Sequence, residues 1–179
     1  MAKKKDLPAT PIELQGRAAV FFDVIRTESD RGYVLVAASF VDESLEMLLR
    51  ARMSDSQDVV KKTIDPLFTG VGTLRSFGAK IELCRALKLI TEKEYADINA
   101  IRELRNHFAH SYVNATFNDE KAMKIIAKLK HFGTDAFPFT DAERDRPSAL
   151  RHRFGLAASW LAGSVHSKGG ATSNKLSIS

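Results

Sequence analysis

Apolar residues recur at intervals of three and four along most of the 179-residue chain, the spacing that lines them up on one face of an α-helix. Thr10 as a cap and Pro11 in a first turn predict a helix reaching about Arg26, with Leu14, Ala18, Phe21, Phe22 and Ile25 on its apolar side. Ser29-Asp30 ends that helix and caps the next, which runs from Arg31 to about Met53. Its inward positions are Val34, Leu35, Ala38, Val41, Leu45, Leu48 and Leu49, with Asp42, Glu43 and Glu46 on the other side. A shorter helix over Ser56–Ile64 is expected to stop at Asp65-Pro66, because the residue before proline is pushed out of the helical region. Leu74 to about Ile90 is the next. Thr91-Glu92-Lys93-Glu94 has the form of a capping box and starts a central helix reaching about Tyr112. Two more follow, from Asp119 to about His131 and from Ser148 to Val165. Between them Phe137-Pro138-Phe139 reads as an apolar plug, and Thr140-Asp141-Ala142-Glu143 as a second capping box. No segment alternates with the period of a strand. The pattern predicts an all-α, single-domain bundle of about six or seven helices over residues 10–166, between a basic disordered tail at 1–9 and a flexible tail at 167–179.

Composition agrees with an ordered globular chain, 44% of it hydrophobic. No apolar run approaches the roughly 18 residues of a membrane span, and the lysine-rich start is not followed by the apolar stretch of a secretory signal. The single cysteine, Cys84, falls inside an apolar helical pattern and reads as a small buried hydrophobe, which fits a reducing cytoplasm. The net charge of +5 invites a nucleic-acid reading. However, Lys3, Lys4, Lys5, Lys168 and Lys175 sit in the terminal stretches with Asp6. Setting these aside from the 27 bases and 22 acids leaves 22 against 21, so the body is nearly neutral. Direct binding of duplex DNA is therefore not expected.

Chemistry concentrates in Ile101–Tyr112, I-R-E-L-R-N-H-F-A-H-S-Y. Helical spacing places Ile101, Leu104, Phe108 and Tyr112 on an apolar face. Arg102, Asn106 and His110 form a polar stripe with Arg105 and His107 on its flanks. A histidine can move a proton near neutral pH, and an arginine can stabilise charge on a phosphorane. Together they suffice for RNA cleavage without metal, with His110 as acid and base, Arg105 on the phosphate and Asn106 orienting. Arg102 and His107 are weaker binding candidates. A two-fold dimer would bring two such helices together and make a fuller site. The plainer account is a solvated face, in which Arg102 and Arg105 pair with Glu103, Asp97 or acids of the second helix, and His107 pairs with Glu103. The two histidines lie three apart without an H-E-x-x-H pattern or a cysteine partner, so neither metal nor cofactor is expected. Gly70-Val71-Gly72 lacks both the G-K-[ST] ending of a phosphate loop and a preceding strand, and reads as a connection.

Two resemblances bear on these alternatives. Arg105-Asn106-His107-Phe108-Ala109-His110 resembles the R-x4-H motif of the HEPN superfamily, whose members are all-α, commonly dimeric, and in many cases metal-independent endoribonucleases. A longer stretch, roughly residues 30–130, resembles the mannitol operon repressor family. It runs through Arg31–Glu43, Asp65-Pro66-Leu67-Phe68, Gly72–Ile81 and Leu89–Tyr95. That resemblance implies a helical protein of bacterial transcriptional control. Since no helix-turn-helix with a basic recognition helix is visible, it also implies action through a protein partner. The lead expectation is a dimeric regulator working by protein contacts. The alternative is a HEPN-type endoribonuclease acting on RNA through Arg105 and His110.

Overall fold

The computed structural model describes residues 27–111, 115–130 and 146–170, and these form an all-α bundle with no strand among them. Its longest-range contacts radiate from α1 (Asp30–Arg50), which packs on α5 (Pro147–Gly170), on α3 (Glu92–His110) and on α2 (Phe77–Ala86). α4 (Glu120–Ala127) lies against α3 and α5. The expected helix before Arg26, Tyr112, the plug Phe137-Pro138-Phe139 and the capping box at Thr140 lie outside the described residues.

α1 begins as its sequence predicts. The Ser29 hydroxyl accepts from the Gly32 amide at 3.1 Å, and Val34, Ala38, Val41, Leu45, Leu48 and Leu49 are buried. Asp42 and Glu46, on the helix side taken as polar, are bound rather than free. Lys80 of α2, only 4% exposed, reaches Asp42 at 2.9 Å and Glu46 at 3.2 Å. That buried ion pair fastens α2 to α1.

The helix over Ser56–Ile64 does not stop at Asp65-Pro66. A turn at Gln57–Val59 widens into a π-helical turn at Val60–Ile64, and helix resumes at Asp65–Phe68 with Asp65 in the right-handed helical region. The Asp65 amide donates to the Val60 carbonyl, five residues back, and Pro66 then opens a fresh turn where its missing N–H is not needed. The following connection is the glycine loop expected. Gly70 has φ 56°, and a side chain at Gly72 would run into the Pro66 and Leu67 carbonyls.

α2 starts at Phe77 rather than Leu74, because the Ser76 hydroxyl caps it by accepting from the Ala79 amide at 3.1 Å. It ends four residues before Ile90. Lys88 takes φ 54°, and the Lys88 and Leu89 amides donate to the Arg85 and Cys84 carbonyls, the paired closure of a helix that usually ends on glycine. Cys84 is fully buried, and burial pushes its thiol up to about 12.

The last helix runs beyond Val165, where the sequence pattern ends it. α5 continues through Gly163 to Gly170. Lys168, counted above with the tail, donates to both carboxylate oxygens of Glu94, at 2.6 Å to Oε1, and the Ser164 hydroxyl donates to Oε1 at 2.8 Å. Glu94 is also the acid of the capping box, accepting from the Thr91 amide at 2.7 Å. One buried carboxylate thus closes the start of α3 and ties the end of α5 to it. With Lys168 in the bundle, the body holds 23 bases against 21 acids, one base more than the sequence count of 22.

Candidate functional site

α3 carries the five candidate residues Arg102, Arg105, Asn106, His107 and His110, and its apolar face explains its position. Ile98, Ile101, Leu104 and Phe108 are fully buried. Each contributes about 1.5–3 kcal/mol relative to exposure. Phe108 meets Phe117 at 5.6 Å between ring centroids, and Phe117 in turn meets Tyr33 and Phe154 at 6.1 and 6.2 Å. At the C-terminal end of α3, Arg31 of α1 donates through Nε to the Phe108 carbonyl at 2.8 Å and through its terminal nitrogen to the Ser111 carbonyl. A cation on the last carbonyls of a helix satisfies orphan acceptors and suits the helix dipole. The neighbouring Asp30 accepts from the Phe117 amide at 3.2 Å and from Arg151 at 2.7 Å, so the start of α1 holds both flanks of this end.

The polar residues divide between two hollows. One, of about 450 Å³, is lined by Arg102, Glu103, Asn106, His107, His110, Ser111 and Lys121. The other, of about 320 Å³, opens on the neighbouring flank between α1, the start of α2 and α3. Ser39, Asp42, Arg75, Ser76, Gly78, Arg102, Arg105 and Asn106 contribute to it. Arg102 and Asn106 belong to both. The predicted stripe of Arg102, Asn106 and His110 therefore exists, while Arg105 and His110 open into different hollows. Helical geometry gives the reason: residues five apart are separated by roughly 140° around the axis.

Individual partners differ from those anticipated. Asn106 accepts through Oδ1 from Arg105 at 3.0 Å. His107 sits 3.4 Å from Asp119 rather than pairing with Glu103, because Glu103 is taken by Lys128 at 2.7 Å. Asp97 accepts from the Lys130 amide at 2.7 Å. Arg105 lies near Asp42, an acid of the helix now labelled α1. Burial pushes the Asp42 carboxyl up, Lys80 and Arg105 pull it down, and the net shift is upward. Arg102 is half-buried, its Nε fully so, and that atom has no hydrogen-bond partner among the described residues. Among the described residues no group of three His, Cys, Asp or Glu side chains is placed to hold a metal ion. None of the described helices is long and apolar enough to cross a membrane.

Arg75, Ser76 and Gly78 fall within the helix predicted from Leu74 to about Ile90 and are not among the candidate site residues. A signal was available. α2 has no acid in its first turn and an arginine just before its cap, the reverse of the usual charge preference at a helix start.

Comparison with known proteins supplies the remaining finding. The family model described as mannitol repressor matches residues 18–155. Among solved structures, a chain of the MtlR-HPr complex from Escherichia coli superposes with a TM-score of 0.70 at 19% identity, over 86% of this chain and 99% of that one. A possible transcriptional regulator from Shigella flexneri superposes with a TM-score of 0.68 at 14% identity, over 92% and 99%. Identities this low speak for the fold alone. Comparison with curated proteins gave no significant match. Because the family model spans most of the sequence, the chain belongs to the mannitol repressor family.

Proposed function

We propose that this chain is a transcriptional regulatory protein that acts through contacts with a protein partner rather than by gripping operator DNA. The observation that carries the reading is the way its cations are used. Arg50 pairs with Glu46 and Asp65, Lys80 with Asp42 and Glu46, Arg85 with Glu92, Lys128 with Glu103, Arg151 with Asp30, and Lys168 with Glu94. Phosphate binding along a duplex needs a run of cations free to replace counterions, and charges neutralised within the bundle do not supply one. The family is one of repressors, and the Escherichia coli structure of like fold is a complex of MtlR with HPr. A helical surface that recruits a partner, in a homodimer, suits that family role.

Fluorescence anisotropy with duplex DNA at rising salt tests the reading. Any affinity is expected to fall steeply between 50 and 200 mM salt, by about tenfold or more, and to disappear once residues 1–9 and 171–179 are removed. Sequence-specific binding that survives in the trimmed protein would overturn it.

A second reading rests on the 450 Å³ hollow, where exposed His110 shares a wall with Arg102, Asn106 and His107. Proton-transfer groups beside a cation suit metal-independent cleavage of RNA, with Arg105 joining from the neighbouring flank or from a second copy. On this reading, purified protein cuts mixed RNA in EDTA, and His110→Ala or Arg105→Ala lowers the rate at least about a hundredfold with helix content unchanged. Intact RNA after prolonged incubation of the dimer would remove it.

A further inference from the structure

The 320 Å³ hollow gathers three arginines, Arg75, Arg102 and Arg105, around the N-terminal end of α2. This is an arrangement that like charges oppose. The start of a helix carries a partial positive charge, and cations placed there are unfavourable. α2 has no acid in its first turn to offset them. The Arg102 guanidinium lies close over the start of α2, 3.2 Å from where a Cβ on Gly78 would stand. Arg102 itself has a buried Nε without an acceptor among the described residues. Of the first amides of α2, Ala79 is taken by Ser76, whereas those of Phe77 and Gly78 have no acceptor among the described residues. The one carboxylate in the hollow, Asp42, is committed to Lys80 at 2.9 Å. Donors and positive charge therefore converge on one space whose single carboxylate, Asp42, is already shared with Lys80.

We propose that this hollow binds the phosphate group of a small molecule, inorganic phosphate or a phosphomonoester, through Arg75, Arg102 and Arg105 and the Phe77 and Gly78 amides. Three guanidinium forks and two amides offer more donors than a carboxylate can accept, and they match a tetrahedral dianion with three terminal oxygens. The helix start supplies the same preference through its dipole. The cations close around a pocket instead of tracking a groove, which favours a terminal phosphate over the diesters of a nucleic-acid backbone. Ser39, Ser76 and Asn106 line the same space and offer partners for the hydroxyls of an attached organic group.

The test is thermal unfolding and calorimetric titration of the full chain with sodium phosphate, glycerol 3-phosphate and a short RNA, each against sodium chloride at equal ionic strength. Phosphate is expected to raise Tm in a concentration-dependent way. Arg102→Gln is expected to weaken binding by about tenfold or more. Arg75→Gln, on an exposed arginine with its own bond to the Gly70 carbonyl, weakens it severalfold without disturbing the fold. Lys62→Gln, on a cation outside the hollow, leaves it unchanged. Tighter binding of glycerol 3-phosphate identifies an organic phosphate as the ligand class, and tighter binding of inorganic phosphate identifies the free anion. No stabilisation beyond chloride, equal affinity in both arginine variants, or binding of the RNA alone would each overturn the proposal.

Discussion

Glu94→Gln is expected to lower the unfolding free energy at pH 7 by about 3 kcal/mol, in the range for breaking a buried ion pair from one side. The carboxylate is 2% exposed, and Lys168, Ser164 and Thr91 all donate to it. Glutamine still fits the capping box through its one carbonyl oxygen, so this variant removes the Lys168 pair and the Ser164 bond while leaving the cap. Glu94→Ala also loses the cap, at a cost of about 1 kcal/mol more. The same carboxylate sets an acid response. Burial alone would raise its pKa, but the donors from Lys168, Thr91 and Ser164 outweigh burial and bring it down to about 2 from 4.5. A carboxyl depressed on folding stabilises the native state fully above its unfolded pKa. That contribution is lost as pH falls from about 4.5 toward 2. Urea denaturation between pH 7 and 2.5 should show the parent losing about 3 kcal/mol through this group over that window. Glu94→Gln should be flatter there. A variant whose acid curve matches the parent's in height and slope would refute the assignment.

This node also shows what was legible in the sequence. Thr91 and Glu94 stand at capping-box spacing, and both limbs of the box form. The second duty of Glu94 depends on a lysine 74 residues further on and could not be read locally. The same contact explains why α5 outruns its predicted end, since the anchorage of Ser164 and Lys168 outweighs the low helix propensity of Gly163. At Pro66 the local rule failed for a different reason, because the π turn shifted the hydrogen-bond register and left no amide to be missed. At the candidate site, periodicity placed the apolar face and the Arg102–Asn106–His110 stripe correctly. The motif spacing pairs Arg105 with His110, and within one copy of the chain the two line separate hollows. The arginine hollow needed α1, α2 and α3 assembled before it existed, and only the odd charge at the start of α2 hinted at it.

Gly155→Ala is expected to destabilise the protein by about 2–3 kcal/mol, against the direction that helix propensity alone predicts. In the middle of a helix, alanine normally gains about 1 kcal/mol over glycine. Here the space where a Cβ would stand is filled by the hydroxyl of Tyr33 in α1. The tyrosine has little room to yield. The Arg151 guanidinium lies 4.2 Å over its ring, and Phe117 and Phe154 flank it at centroid distances of 6.1 and 6.2 Å. A methyl group forced into this seam separates α1 from α5, the most extensive packing in the bundle. It also disturbs the Asp30–Arg151 bond beside the Arg31 clamp on the end of α3. Tyr33→Phe removes the obstructing oxygen, so the double variant should recover part of the loss, with a coupling of about 1–2 kcal/mol in a thermal-denaturation cycle. Histidine signals of His107 and His110 should broaden in Gly155→Ala and sharpen again in the double variant, because both sit on the turn that the clamp holds. If Gly155→Ala melted at or above the parent temperature, the close approach of Tyr33 would not be what requires glycine at this position.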